Sequence, residues 1–270
     1  MRKNDIQGLL NEICIIFQNE LGENLVGIYL HGSLAMDSFT WETSDVDFLV
    51  VVEHSLTQIE KIRIIQSLYT LLPKSPPKGL EMSIVLKNCL KPCDYPVPYE
   101  LHFSNMHIQT IHDNIEKYCD NMQGVDKDLT AHIMVIWHRG IVLCGPAIQQ
   151  LFEEPCRSEY LDSIWYDIQN SEGTVLDKPV DTILNLCRTL AYLDENIILS
   201  KREGGVWELT VCHPMYQTLL EDSLAVYNGV RLEAVIDKQL AKRFVEEQMR
   251  QIQKSLKINF NDVSEKRSQK

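Results

Sequence analysis

The feature that most constrains this chain is a Gly-Ser turn followed by an Asp-x-Asp pair, each bordered by apolar, β-prone residues. Gly32 and Ser33 follow one such segment, and Asp45 and Asp47 open the next. The pattern predicts a strand, a turn, a connection and a second strand. Because alternate residues of a strand face the same way, the two aspartates project from one face. Two carboxylates at the start of a strand can hold Mg²⁺, which prefers oxygen ligands and substrate phosphates.

The Gly-Ser turn adds features that suit a polyphosphate. Gly32 lets the backbone approach closely, Ser33 offers a hydroxyl, and successive amides in such a turn can form an anion-binding concavity. The alternative is a surface turn with two solvated aspartates. Against it, the apolar run after Asp47 places the pair at the edge of a buried sheet, where unpaired charge is costly. The order Gly-Ser then Asp-x-Asp resembles the signature of the DNA polymerase β-like nucleotidyltransferase superfamily.

A third acidic residue fits the same site. Glu81 lies in an apolar segment in which Leu80, Met82 and Ile84 share one face, so Glu81 projects from the other. It could be an edge-strand carboxylate that faces water. Beside the aspartate pair it could instead deprotonate an attacking hydroxyl, which requires hydrogen-bond reach, or help to hold a metal.

Composition narrows the class of partner. The 270 residues include 38 Asp and Glu against 26 Lys and Arg, a formal net charge of −12. Nucleic-acid binding depends on basic patches, and an acidic chain is poorly suited to it, so we expect no nucleic-acid partner. The negative field would attract a cationic small molecule, although it could serve solubility alone. No apolar run reaches membrane-spanning length, the amino terminus reads as an amphipathic helix, and the cysteines are scattered. These observations predict a cytoplasmic protein with no membrane partner, and we expect a monomer.

Periodicity divides the chain into an α+β half and a helical half. The pattern predicts helices over 5–21, 56–72 and 128–139, strands over 25–31, 46–53, 80–87, 101–104 and 141–144, and a loop over 91–98. From residue 160 onward almost every segment has helical period. We predict a nucleotidyltransferase domain with a mixed sheet over 1–153, a helical bundle domain over 154–260 and a flexible tail over 261–270.

Two basic residues of the helical half are candidate phosphate ligands. Arg188 lies among apolar residues of one helix, and Lys201 precedes a Gly-Gly pair. Guanidinium and ammonium groups bind phosphates well. On their own, such residues more often form surface salt bridges.

Longer segments resemble the streptomycin/spectinomycin adenylyltransferases, and the resemblance runs from about Val26 to Tyr227. The segments that carry it are 26–33, 44–52, 80–84, 99–103, 126–129, 139–146, 184–188 and 199–205. The two-domain organisation agrees with that family.

The resemblance implies a role for each candidate residue. Ser33, Ser44, Asp45 and Asp47 would hold the Mg²⁺-ATP triphosphate, with the two aspartates as metal ligands. Glu81 would be the catalytic base toward a drug hydroxyl. The nucleotide site would be completed by Asp128, Arg188, Lys201 and Tyr227. The site would then lie between the domains and close when ATP binds.

Two positions depart from the streptomycin-modifying members of the family. They carry a tryptophan where this chain has Met106, and an acidic residue where it has Lys178. Because both features contact streptomycin, the departures favour spectinomycin, another aminocyclitol or an unrelated alcohol. Trp137, Trp165 and Asp181 are alternative candidates to line the pocket.

The sequence therefore predicts an ATP- and Mg²⁺-dependent O-adenylyltransferase that modifies an aminoglycoside-like antibiotic and confers resistance. Two alternatives stay open. One is a nucleotidyltransferase that acts on another small alcohol or on a macromolecule. The other is a non-catalytic nucleotide-binding module, although the intact carboxylates Asp45, Asp47 and Glu81 speak against it.

Overall fold

A computed structural model of the chain describes residues 6–231 and 236–268. It divides into two compact units, Met1–Pro155 and Cys156–Lys270. The last helix extends to Ser268, and residues 269–270 lie outside the described part, so the flexible tail over 261–270 stays a prediction.

The first unit is built on a five-stranded mixed sheet with the strand order β5-β3-β2-β1-β7, and a separate pair joins β4 to β6. Only β2 and β3 run parallel within the five-stranded sheet. The strands are β1 (Leu25–Leu30), β2 (Val46–Val52), β3 (Leu80–Leu86), β4 (Val97–Tyr99), β5 (Leu101–Phe103), β6 (Gly124–Asp126) and β7 (Ile141–Cys144).

Helices cover both faces of this sheet. The helices of the unit are α1 (Ile6–Leu21), α2 (Gly32–Ala35), α3 (Gln58–Tyr69), α4 (Ile108–Asp113), α5 (Ile115–Asn121), α6 (Asp128–Arg139) and α7 (Ile148–Leu151). Phe48 and Val50 of β2 pack with α1 and α3 in one core, whereas Leu49 and Val51 pack with α6 in the other. Because side chains alternate along a strand, Asp47 projects on the α6 side of the sheet.

Local signals explain the limits of the principal elements. Thr57 and Glu60 form a reciprocal capping box that starts α3, and Pro73 follows the end of the helix. The predicted strands over 25–31, 46–53 and 80–87 are confirmed to within one residue. The loop predicted over 91–98 is wrong at its end, because Val97 and Pro98 belong to β4, where a short two-stranded pair tolerates proline.

The second unit is helical throughout its described elements. They are α8 (Arg157–Ile168), α9 (Ser171–Thr174), α10 (Pro179–Glu195), α11 (Lys201–Val211), α12 (Gln217–Tyr227) and α13 (Lys238–Ser268). Helix α10 packs against α11, α12 and α13, and its apolar side is buried, including Ile183, Leu186 and Leu190. The predicted α+β class with a helical second part is confirmed.

A buried carboxyl group makes the stability of the helical unit depend on pH. Glu208 on α11 is only 3% exposed, and Nε2 of Gln248 on α13 donates to its Oε1 over 2.9 Å. Burial raises the pKa of Glu208 from 4.5 to about 7. The folded state therefore binds this proton more tightly than the unfolded chain. Its stabilising effect is complete below about pH 4.5 and is lost as the pH rises through 7.

Glu208→Gln should remove this dependence, because the amide stays neutral at every pH. The wild type should lose about 3 kcal/mol more than the variant between about pH 4.5 and about pH 8. Urea unfolding followed by circular dichroism measures the difference. Glu246→Gln on the exposed side of α13 is the control and should follow the wild type. Parallel pH curves for wild type and Glu208→Gln would show that the carboxyl group is not responsible.

Candidate active site

Three carboxylates converge at the end of the mixed sheet where strands β2 and β3 begin. Asp45 immediately precedes β2, Asp47 is the second residue of β2, and Glu81 is the second residue of β3. Asp47 and Glu81 are direct partners across the parallel pair. One carboxylate oxygen from each of the three residues lies within 4.8 Å of the others, and all three side chains are half-buried. The predicted grouping of Glu81 with the aspartate pair is present.

The convergence follows from the direction of the two strands. Because β2 and β3 run parallel, both strands begin at the same end of the sheet. The main-chain N–H of Val46 donates to the carbonyl of Gly79 over 3.1 Å, which fixes this start. Carboxylate oxygens are the ligands that Mg²⁺ prefers, so the acid triad of Asp45, Asp47 and Glu81 fits a hard divalent cation.

The Gly32-Ser33 turn, which opens the one-turn helix α2, packs against Asp47 of the acid triad. The main-chain N–H of His31 donates to the carbonyl of Asp47 over 3.0 Å. Gly32 has a φ of +62°, and a Cβ at this position would lie 1.9 Å from Oδ2 of Asp47. Only glycine therefore fits here without displacing that carboxylate. The Ser33 hydroxyl is buried and makes no hydrogen bond within the described part of the chain, so it suits an external acceptor such as a phosphate oxygen.

Ser44 has a local role in the same region. Its side chain is buried, and its Oγ accepts a hydrogen bond from the main-chain N–H of Thr40 over 3.1 Å. The bond closes the turn that leads into Asp45. The predicted contact of Ser44 with the triphosphate stays a prediction.

Asp128 forms part of a histidine cluster that sequence reasoning missed. It is the first residue of α6, and its main-chain N–H donates to Oδ1 of Asp126 over 2.9 Å. One helical turn later, Nε2 of His132 lies 3.4 Å from Oδ2 of Asp128. The ring of His31 stacks on that of His132 with centroids 4.6 Å apart.

Burial and charge move the pKa values of these two imidazoles in opposite directions. Burial lowers the pKa of His31 well below its usual range. For His132, burial also lowers the pKa, but the Asp128 carboxylate, by charge and hydrogen bond, raises it to about 10. Glu81 and Asp47 add to that rise. At neutral pH the acid triad therefore has a cationic imidazole nearby.

A third histidine lies on the neighbouring strand. His102 on β5 pairs in register with Ser83 on β3, and its Nδ1 is 2.9 Å from the Ser83 hydroxyl. Burial, with a smaller effect from His107, lowers the pKa of His102 to about 4. Ser83 shares a strand face with Glu81, so this alternation was the signal that could have placed His102 near the site.

The candidate residues of the helical unit have polar partners of their own. Arg188 on α10 donates to Oδ1 of Asn185 and lies 4.0 Å from Asp167. Lys201 at the start of α11 forms a 2.7 Å ion pair with Asp181. Tyr227 ends α12 and is half-buried. Their assignment to the nucleotide site stays a prediction from the resemblance.

The positions that depart from the streptomycin-modifying enzymes lie in different settings. Met106 is 85% exposed on a short turn after β5. Lys178 is the residue immediately before α10. Of the alternative pocket residues, Trp137 packs against the core on α6, Trp165 is half-buried on α8, and Asp181 is engaged with Lys201.

The fold and the acid triad define an enzyme of the nucleotidyltransferase class. The profile of the Nucleotidyltransferase domain matches residues 11–117, and that of the aminoglycoside adenylyltransferase C-terminal domain matches residues 150–254. The chain thus combines a nucleotidyltransferase domain with a match to the C-terminal domain of the aminoglycoside adenylyltransferases.

Curated relatives and a solved structure agree with this assignment. Spectinomycin 9-adenylyltransferase of Enterococcus faecalis is 24% identical over 201 residues, which make up 73% of this chain and 77% of that protein. The Staphylococcus aureus protein of the same name is 24% identical over 218 residues, 79% of this chain and 82% of that protein. A crystal structure of spectinomycin adenyltransferase from Enterococcus faecalis with ATP and spectinomycin matches with a TM-score of 0.78, at 20% identity, over 92% of this chain and 99% of that chain. This likeness shows a shared fold.

No helix in the described ranges 6–231 and 236–268 combines the length and the apolar character that crossing a membrane requires.

Proposed function

We propose that this enzyme transfers AMP from ATP to a hydroxyl of a cationic aminocyclitol or aminoglycoside antibiotic, in a Mg²⁺-dependent reaction that confers resistance. The observation that carries the proposal is the acid triad, in which Asp47 and Glu81 face each other across β2 and β3. The matches to the two domain families and to the spectinomycin 9-adenylyltransferases support adenylyl transfer as the reaction.

Each carboxylate has a distinct part in this mechanism. Asp45 and Asp47 would hold Mg²⁺, which when bound supplies positive charge to the phosphates and the leaving pyrophosphate. Glu81 takes the proton from the acceptor hydroxyl, whose oxygen then attacks the α-phosphorus of ATP. The bond from the α-phosphorus to the bridging oxygen breaks, and pyrophosphate leaves.

The Gly32-Ser33 turn orients the triphosphate in this proposal. Its buried Ser33 hydroxyl gains a partner when a phosphate oxygen binds, which removes an unsatisfied polar group. Catalysis of this kind depends on positioning and on electrostatic stabilisation of developing charge. Ser44 and Asp128, with Arg188, Lys201 and Tyr227 of the helical unit, are the further residues that we assign to ATP.

Charge favours a cationic acceptor, and two single positions favour spectinomycin over streptomycin. A formal net charge of −12 attracts a cationic substrate. Met106 and Lys178 stand where the streptomycin-modifying enzymes carry a tryptophan and an acidic residue. The curated relatives are named for spectinomycin.

The first test is pyrophosphate release from Mg²⁺-ATP by the purified protein with spectinomycin, streptomycin and other aminoglycosides. We expect release with spectinomycin, and a product heavier by one adenylyl group in mass spectrometry. Asp47→Asn should abolish release, and the exposed Asp120→Asn should not. If ATP binds but no drug supports release, the antibiotic assignment fails. Labelling of a macromolecule from α-labelled ATP would then favour that alternative substrate class.

A further inference from the structure

The histidine cluster beside the acid triad has an arrangement that packing alone does not require. His132 lies four residues after Asp128 on α6, so the two side chains share one helix face. Nε2 of His132 is 3.4 Å from Oδ2 of Asp128, which is within ion-pair distance. The imidazole thus faces the carboxylate that we assign to ATP.

His132 also contacts the histidine that directly precedes the Gly-Ser turn. Its ring stacks on the buried ring of His31, with centroids 4.6 Å apart and ring planes inclined by 32°. His31 directly precedes Gly32, and its main-chain N–H is bonded to Asp47. The two histidines therefore connect α6 to the turn and to β2, each of which carries a residue assigned to ATP or metal.

The local charge explains why a histidine is suited to this place. Asp128, Asp47 and Glu81 all act electrostatically on His132. Asp128 raises the pKa of His132 most strongly of the three, by charge and by hydrogen bonding. An imidazole at this position can donate to the Asp128 carboxylate, whereas an apolar side chain of similar size would only fill the space.

We propose that His132 is a positioning residue that holds the Asp128 carboxylate in place for ATP and joins it, through the stack on His31, to the Gly32-Ser33 turn. The inference rests on the proposed function, because it assigns Asp128 to the nucleotide. It predicts that removing the imidazole weakens ATP binding in the same way as removing the Asp128 charge.

The test is the affinity for Mg²⁺-ATP, measured by titration calorimetry without any acceptor. His132→Leu should weaken binding by about tenfold or more, the range expected when a hydrogen bond to a charged group is lost. His132→Gln retains a donor and should recover part of that loss. The matched control is His138→Leu on the same helix, where the imidazole pairs with Glu154 at the surface over 2.9 Å, and it should bind ATP like the wild type.

A double-mutant cycle separates positioning from general damage to the fold. If His132 acts through Asp128, the variant with both His132→Leu and Asp128→Asn should bind ATP no more weakly than Asp128→Asn alone. Melting temperatures of all variants are measured in parallel, since a merely structural role would lower stability without this non-additivity. Additive losses would overturn the inference.

Two further outcomes separate this inference from the proposed function. If Asp128→Asn weakens ATP binding and His132→Leu does not, the role of His132 is overturned. The proposal of adenylyl transfer is then unaffected. Absence of pyrophosphate release with every antibiotic would overturn the proposed acceptor. The binding measurement with Mg²⁺-ATP alone would still decide the inference.

Discussion

Glu81→Gln is expected to reduce turnover by about 100-fold or more, the usual contribution of a general base, while Mg²⁺-ATP still binds. The amide keeps the shape of the side chain on β3 but cannot accept the proton of the acceptor hydroxyl. Because Glu81 belongs to the acid triad, the loss should appear in kcat for pyrophosphate release with spectinomycin. Titration calorimetry should give an ATP affinity within a few-fold of the wild type.

The control for this substitution is Glu53→Gln. Glu53 follows β2 and forms an exposed 2.9 Å ion pair with Lys87, so it matches Glu81 in chemistry but is remote from the other acids. Exposed pairs contribute little to stability, and this variant should be fully active. A Glu81→Gln enzyme that retains turnover within a few-fold of the wild type would show that another group accepts the proton.

Gly32→Ala is expected to lower pyrophosphate release by about 100-fold, the scale on which small misplacements of catalytic groups act. A Cβ would lie 1.9 Å from Oδ2 of Asp47, and this carboxylate would have to move out of the acid triad. Since the clash is with the end of a side chain, the sheet itself can remain. The free energy of unfolding should fall by only about 1–2 kcal/mol, the cost of a left-handed backbone at alanine.

Gly22→Ala isolates the backbone contribution. Gly22 has a φ of +50°, and a Cβ there would meet no atom within 4 Å. It should lose similar stability in urea unfolding and retain full activity. If both variants lose the same activity, or if the Gly32→Ala enzyme stays active, the contact between position 32 and the Asp47 carboxylate does not control the reaction.

The sheet was predictable because its strands are strongly apolar and clearly bounded. Apart from Asp47, Glu81 and the final Leu86, the residues of β2 and β3 are buried on both faces, and Pro73 marks the end of the intervening helix. In contrast, β4 and β6 have three residues each and one contains Pro98, so neither has a pattern long enough to recognise. Their pairing depends on the tertiary packing around them.

The acid triad was predictable because strand alternation fixes which residues share a face. The pairing of Asp47 with Glu81 needed one further fact, that β2 and β3 run parallel in this register. The histidine cluster escaped prediction for a physical reason. His31 directly follows strand β1, and His132 lies on helix α6, more than 90 residues further along the chain. No periodicity relates two positions so far apart.

The parallel pairing of β2 with β3 also affects how the enzyme folds. Parallel neighbours need a long crossover, and here residues 53–79, with α3 among them, separate the two strands. Asp47 and Glu81 therefore become neighbours only after this crossover has closed and its helix has packed. Contacts between residues distant in sequence form slowly, because the entropy of loop closure opposes them. A newly made chain that has not yet paired these strands has no assembled acid triad, so the catalytic carboxylates come together only when the core around these two strands has closed.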